Sequence, residues 1–183
     1  MTNRLFITLD IPDETIEEII ELRNHLYSAK DAKWEGKDKY HITLKFLGDT
    51  KVDLIPRINS HLENISGTTK EIKLSFDRFG MFYRERVPKI FWIGLEHNIY
   101  LQSLHNKIDN ACAEFGFQKE KRKFNPHLTI LRIKGNEKIS ILEKMTQTKI
   151  QPINFTAKTI SLMKSDLKPT GSVYYTIKSF ELS

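Results

Sequence analysis

The sequence predicts an α+β fold with antiparallel or mixed sheets, and three observations carry that expectation. Strand-like and helix-like hydrophobic patterns alternate along the chain, without the regular βαβ spacing of a doubly wound parallel sheet. No low-complexity stretch or Pro/Gly/Ser-rich linker divides the 183 residues, which therefore read as one domain, 1–183. At 39% hydrophobic content the chain can fill a core, and no apolar run nears the roughly 18 residues of a membrane helix.

Residues 5–10 are strand-like and close at Ile11-Pro12. Over 13–30, Ile16, Ile19, Ile20, Leu22, Leu26 and Tyr27 form one broad helical face, with Asp13 as the expected cap and Lys30 suited to the C-terminal end. Residues 40–47 read as a strand ending at Gly48-Asp49. A second helix fits 53–65, with Ile55, Ile58, Leu62 and Ile65 in register and Pro56 tolerated in its first turn. Two strands, roughly 70–79 and 89–95, are joined by a loop over 80–88. A helix over 98–115 carries Leu101, Leu104, Ile108, Cys112 and Phe115 as its apolar stripe. A strand at 127–133, a short helix near 138–146 and strands near 152–163 and 173–181 follow, with Lys168-Pro-Thr-Gly171 as the last turn.

Lys and Arg number 29 against 23 acidic residues, a net charge of +6 with a pI near 9.3. That balance suits a phosphate-bearing partner without identifying one. The single cysteine, Cys112, excludes a disulfide framework and a Cys-rich zinc site. The opening MTNRLFITLDIPDE has too short an apolar stretch for a signal peptide. The expectation is a soluble, cytoplasmic monomer with no membrane contact, no metal and no cofactor.

Two segments are nearly the same segment: His41-Ile-Thr-Leu44 and His127-Leu-Thr-Ile130. Each is His, aliphatic, Thr, aliphatic inside a strand-like run. Strand side chains alternate faces, so His41 and Thr43 share one face, as do His127 and Thr129, while the aliphatic pairs turn to a core. Either copy alone is ordinary strand sequence; the repeat is the signal. Two imidazoles suit acid–base chemistry at phosphorus, where attacking and leaving oxygens lie on opposite sides. One group takes a proton from the incoming hydroxyl and the other gives one to the departing oxygen, and an ordinary imidazole pKa of about 6.5 makes both forms accessible. The threonine hydroxyls suit the non-bridging oxygens. By residues alone the two motifs are near-symmetric, and either histidine could be the acid.

These motifs resemble the paired HxTx signatures of the two-histidine (2H) phosphoesterases, and within them the RNA 2′,3′-cyclic phosphodiesterases, historically called 2′-5′ RNA ligases. The resemblance extends over Arg4-Leu-Phe-Ile with Ile11-Pro12, Trp34, residues 40–48, Phe79-Gly80, Phe91-Trp92-Ile-Gly94, residues 124–132, residues 165–171 and Tyr174. It implies a bilobal α+β fold of two pseudo-symmetric lobes, each giving one HxTx strand to a central cleft lined by antiparallel sheets with helices outside. It also implies metal-independent hydrolysis of RNA 2′,3′-cyclic phosphate ends, or of cyclic nucleotides, to 2′-phosphomonoesters, with reversible 2′-5′ ligation by the same site. By position, His41 is then the proton donor and His127 the proton acceptor; Thr43, Thr129 and Arg132 bind phosphate; and Phe46 and Phe6 are candidates for base stacking. Arg132 and Phe46 stand five residues after their histidines, which strict alternation puts on the wrong face, so both require a bulge, a twist or a strand end. Two other functions remain open at this stage: a non-catalytic phosphate clamp for nucleotides or RNA, and cleavage of 2′-5′-linked oligonucleotides.

The remaining chemistry-bearing residues have plainer readings. His25, His61 and His105 flank helical stripes, His97 sits in a loop or cap beside Asn98, and Cys112 belongs to a core stripe. Trp34 is either a stacking ring or a wall of the cleft. Arg84 and Arg86 lie between the central strands, where they either attract RNA or are simply solvated.

Overall fold

The structure is a computed structural model and describes residues 1–27, 32–169 and 171–183. Among the described residues eight strands form one antiparallel sheet in the order β6-β3-β4-β5-β2-β1-β7-β8. They are β1 (Thr2–Leu9), β2 (Ile42–Lys51), β3 (Ile72–Arg84), β4 (Val87–Leu95), β5 (His127–Arg132), β6 (Ile153–Ala157), β7 (Thr159–Lys168) and β8 (Gly171–Glu181). The helices are α1 (Asp13–Leu26), α2 (Ile55–Gly67), α3 (Ile99–Ala113) and α4 (Ile139–Gln147). The expected pair of lobes is visible as two four-stranded halves, β2-β1-β7-β8 and β5-β4-β3-β6, whose sheets are continuous through the β2–β5 junction.

The sheet is curled, and the chain itself shows how far. β6 lies at one edge and β7 in the opposite half, yet only Lys158 separates them. Two Cα steps span at most about 7.6 Å, so the two halves must meet at that end. The terminus past β8 seals the same junction: Ser183 N–H donates to the Thr69 carbonyl at 2.8 Å, and Glu71 N–H donates to the Ser183 carbonyl at 3.2 Å. Leu5, Ile7 and Leu9 of β1 and Ile42 and Leu44 of β2 are buried in the core with Ile16 and Ile19 of α1, Ile58 and Leu62 of α2, and Leu101, Leu104 and Ile108 of α3. Among the described residues no helix is long and apolar enough to cross a membrane.

Several expected boundaries move, each for a physical reason. Pro12 occupies the cap of α1, and Asp13 is instead its first helical residue, where its charge favours the helix N-terminus. The helix ends at Leu26, and Lys30 lies outside the described residues. β2 does not stop at Gly48. Gly48 takes φ 67°, a left-handed conformation glycine adopts without strain, and pairs with Leu5 as the strand runs on to Lys51. The supposed loop over 80–88 is strand on both sides of a two-residue turn at Glu85-Arg86. Gly80 is no breaker there: a Cβ at that position would lie 2.2 Å from the Trp92 indole, so the missing side chain makes room for the ring. The strand expected over 152–163 is two, β6 and β7, because the chain passes from one half of the sheet to the other at Lys158 with no Gly or Pro to mark the crossing.

Candidate active site

β2 and β5 meet through one registered pair, Ile42 opposite Leu128, and both residues are fully buried. Each is the second residue of its motif, so a local two-fold axis passes through the pair. One step along the antiparallel register, His41 comes opposite Thr129 and Thr43 opposite His127. Facing residues in such a pair have Cβ atoms about 4.5–5.5 Å apart, and diagonal neighbours about 7–8 Å. The two imidazoles are therefore diagonal on one face, with a hydroxyl on each remaining corner. That spacing leaves room for one phosphorus and its oxygens.

Matching bulges follow the two motifs. Thr8 pairs with Thr43 and Ile7 with Lys45, leaving Leu44 as the extra residue; Trp92 pairs with Thr129 and Phe91 with Leu131, leaving Ile130 as the extra one. Each bulge reverses the alternation, so Leu44 and Lys45 are both buried, as are Ile130 and Leu131. Phe46 and Arg132 are thereby returned to the histidine face, which resolves the parity conflict in the sequence. Phe46 is 73% exposed and offers an open ring, whereas Phe6 is 3% exposed. Phe6 packs 5.2 Å from His41, 6.1 Å from Phe46 and 5.0 Å from Tyr174, forming the aromatic floor beside the histidine.

Each imidazole is walled by aromatic rings from its own half of the sheet. Tyr174 stands edge-on to His41 at 5.3 Å. Phe82 stands edge-on to His127 at 4.7 Å, with Trp92 at 6.0 Å. The Asn125 carbonyl lies 2.8 Å from His127 Nδ1 and can only accept. Nδ1 therefore carries the proton and Nε2 the lone pair, the tautomer a general base needs. Burial pushes the His127 pKa down, against the opposing effect of that hydrogen bond. Burial, reinforced by the charges of Arg132 and His127, lowers His41 to about 4.

Arg132 is placed by a residue that sequence reasoning missed. Glu35 lies 3.5 Å from Arg132 Nε and 3.0 Å from Lys39 Nζ, and its backbone N–H donates to the carbonyl of the bulged Ile130 at 3.0 Å. Arg23, buried between Trp34 and Tyr40, donates to the Glu35 carbonyl and to the Tyr40 hydroxyl. The segment ahead of the first motif thus fixes the end of the second. Trp34 packs on Tyr27, Phe91 and Arg23 in this support, not on an open base site. Tyr174, Phe82 and Trp92 come from distant segments and Glu35 from the segment ahead of the first motif; only Tyr174 and Trp92, by their place in the family-like pattern, were visible in the sequence.

The plainer readings are also located. His105 is buried against Phe124 with ring centroids 4.0 Å apart, and His61 packs on Phe115 at 4.8 Å. His25 and His97 are exposed, and Asn98 caps α3 by accepting from the Tyr100 and Leu101 amides at 3.0 Å. Cys112 is buried, which pushes its thiol up to about 11.

Comparison with known proteins bears on the family and the fold. The family model for the 2′-5′ RNA ligase superfamily matches residues 8–169. A Methanocaldococcus jannaschii protein named RNA 2′,3′-cyclic phosphodiesterase is 33% identical over 179 residues, covering 97% of this chain and 99% of its own. A Thermotoga maritima protein of the same name is 29% identical over 174 residues, covering 93% and 91%. Among solved structures, E. coli LigT complexed with 3′-AMP superposes with a TM-score of 0.78 at 23% identity, over 100% of this chain and 99% of that one. A crystal structure described as a phosphoesterase reaches 0.80, also at 23%, with the same coverage. These two show the shared α+β fold. With paired HxTx strands at the centre of that fold and a family match spanning most of its length, the chain belongs to the 2′-5′ RNA ligase superfamily.

Proposed function

We propose that the chain hydrolyses the 2′,3′-cyclic phosphate at RNA 3′ ends to a 2′-phosphomonoester. The observation that carries this reading is the Ile42–Leu128 pair, which sets two histidines diagonally on one face, one of them held as an Nε2 base. The names of the relatives supply the substrate. His127 Nε2 takes a proton from water as the water oxygen bonds to phosphorus; the P–O3′ bond breaks, and His41 gives its proton to O3′. The product carries a 2′-phosphate and a free 3′ hydroxyl, and proton exchange with solvent resets both rings. Thr43 and Thr129 donate to the non-bridging oxygens, Arg132 offsets their charge, and Phe46 stacks on the terminal base. With the 5′ hydroxyl of a second strand in place of water, the same two transfers form a P–O5′ bond as P–O3′ breaks, giving a 2′-5′ phosphodiester and accounting for the ligase name.

Proton transfer from water to one imidazole and from the other to O3′ needs no divalent cation. With EDTA present, a short RNA ending in a 2′,3′-cyclic phosphate is expected to give only the 2′-phosphate, read by chromatography against both isomers. A 3′-phosphate product would contradict the assignment of O3′ as leaving group. No turnover with nucleotide binding intact would leave the phosphate clamp.

The depressed pKa values fix a pH dependence. In the free enzyme the acid must hold a proton on a group whose pKa is near 4, while the base must be neutral. The kcat/KM profile, which reports the free enzyme, is expected to be bell-shaped with its alkaline limb below about 6.5. The phosphate anion beside His41 favours imidazolium, so the kcat limb moves to higher pH. A kcat/KM profile flat from pH 5 to 8 would contradict this.

A further inference from the structure

The β3–β4 hairpin carries a cavity that adjoins the histidine face through Phe82 and Arg132 and extends beyond it along Tyr83, Arg84 and Lys89. We infer that this cavity, about 460 Å³ and lined by Phe82, Tyr83, Arg84, Lys89, Ile90 and Arg132, holds the RNA strand on the 5′ side of the terminal nucleotide. The inference rests on the function proposed above and adds the surface that would make a polynucleotide bind better than a mononucleotide.

Continuity is the first argument. Phe82 and Arg132 line this cavity and also border the histidines: Phe82 lies 4.7 Å from the His127 ring, and the charge of Arg132 acts on His41. A cyclic phosphate occupies both the 2′ and 3′ oxygens, so the rest of the strand leaves the cleft through the 5′ oxygen alone. From the Ile90–Arg132 pair to the Val87–Arg84 pair the hairpin runs three residues. At about 3.3 Å each, that is a path of roughly 10 Å out of the cleft.

Chemistry is the second. Single-stranded nucleic acid is held by cations that follow its backbone and by rings that stack on its bases without regard to sequence. The hairpin offers Arg84, Arg86 and Lys89 against one acid, Glu85. Lys89 has no ion pair among the described residues, and Arg84 has only its neighbour Glu85 at 3.9 Å, both largely exposed. Tyr83 is 55% exposed, a ring free for a base. The turn adds a third observation. Glu85 and Arg86 take φ 52° and 66°, left-handed values usually left to Gly or Asn. The hairpin thus closes in two side-chain-bearing residues, which leaves Arg84 on a paired strand beside the cavity and not on a longer loop.

The test compares a five-nucleotide RNA ending in a 2′,3′-cyclic phosphate with a nucleoside 2′,3′-cyclic phosphate. Arg84→Ala/Lys89→Ala and Tyr83→Ala are expected to raise KM for the pentanucleotide about tenfold at low salt, with kcat and the mononucleotide kinetics unchanged. In the double variant the slope of log KM against log salt should shrink by about 1.4, the loss of two phosphate contacts at roughly 0.7 each. An unchanged pentanucleotide KM, or equal losses on both substrates, would overturn the inference. Binding of a pentanucleotide 2′-phosphate and a nucleoside 2′-phosphate, read by calorimetry, separates this from the proposed hydrolysis. If wild type turns over neither cyclic substrate, the hydrolytic reading fails. A pentanucleotide preference that the variants abolish still supports the groove, and equal affinities still overturn it.

Discussion

His127→Ala is expected to lower kcat on an RNA 2′,3′-cyclic phosphate by about 10²–10⁴-fold, the usual weight of one positioned proton transfer. KM should change little, because in the proposed mechanism Thr43, Thr129, Arg132 and Phe46 would still hold the phosphate and base. His41→Ala should fall in the same range. The double variant should be far less impaired than the product of the two losses, since both residues act in one displacement. His127→Gln gives a sharper form: a side-chain amide can still donate to the Asn125 carbonyl now 2.8 Å from Nδ1, but it moves no proton. It should bind as wild type and turn over as poorly as the alanine variant. Steady-state kinetics with binding of the 2′-phosphate product checks both halves.

The second large effect lies beneath the first bulge. The extra residue, Leu44, turns Lys45 away from the cleft; its side chain is 7% exposed, with the ammonium 2.5 Å from Asp109 Oδ1 on α3 and 2.6 Å from the Gln118 carbonyl. Asp109 also accepts the Glu120 backbone N–H. Removing one member of a buried ion pair leaves the other uncompensated, so Lys45→Ala or Asp109→Ala should destabilise the fold by about 3–5 kcal/mol. For a chain of this length that is a fall in Tm of roughly 10 °C. Lys45→Met with Asp109→Leu should recover much of it, because no charge is then stranded. Burial raises the Asp109 pKa, but the Lys45 hydrogen bond, the Glu120 N–H and the Lys45 charge outweigh it and hold the carboxyl below its usual range. Its folded value is thus the lower one, so its stabilisation is complete at neutral pH and is lost as pH falls below about 3.8 toward that value. Thermal denaturation at pH 7 and pH 3 reads both effects; a Tm change under about 2 °C in either single variant would contradict this account.

The geometry of the candidate site was legible because it repeats. Two His-aliphatic-Thr-aliphatic segments specify two strands and a shared face, the basis of the proposed acid–base pair, without any knowledge of what lies between. The bulges were legible only as a contradiction: Phe46 and Arg132 had the wrong parity. The residues that resolve it, Leu44-Lys45 and Ile130-Leu131, bear no Gly or Pro, and Lys45 looks like an exposed strand residue until Asp109 arrives from α3. The walls of the site were harder still. Phe82 read as loop because Gly80 resembles a breaker when the Trp92 ring that fills its space is unseen. Tyr174 reaches the site through the curl of the sheet and Glu35 through the meeting of β2 with β5, long-range arrangements that no local pattern records.

The assignment of His41 as acid and His127 as base is tested most directly by changing the leaving group. In a 2′,3′-cyclic phosphate whose 3′ oxygen is replaced by sulfur, the departing thiolate, with a pKa near 8.5 as for a cysteine thiol, needs almost no protonation. Single-turnover rates on this substrate are expected to restore most of the activity lost in His41→Ala and none of that lost in His127→Ala. Rescue of His127→Ala instead would exchange the two roles, and rescue of neither would contradict the transfer of a proton to O3′ by either histidine.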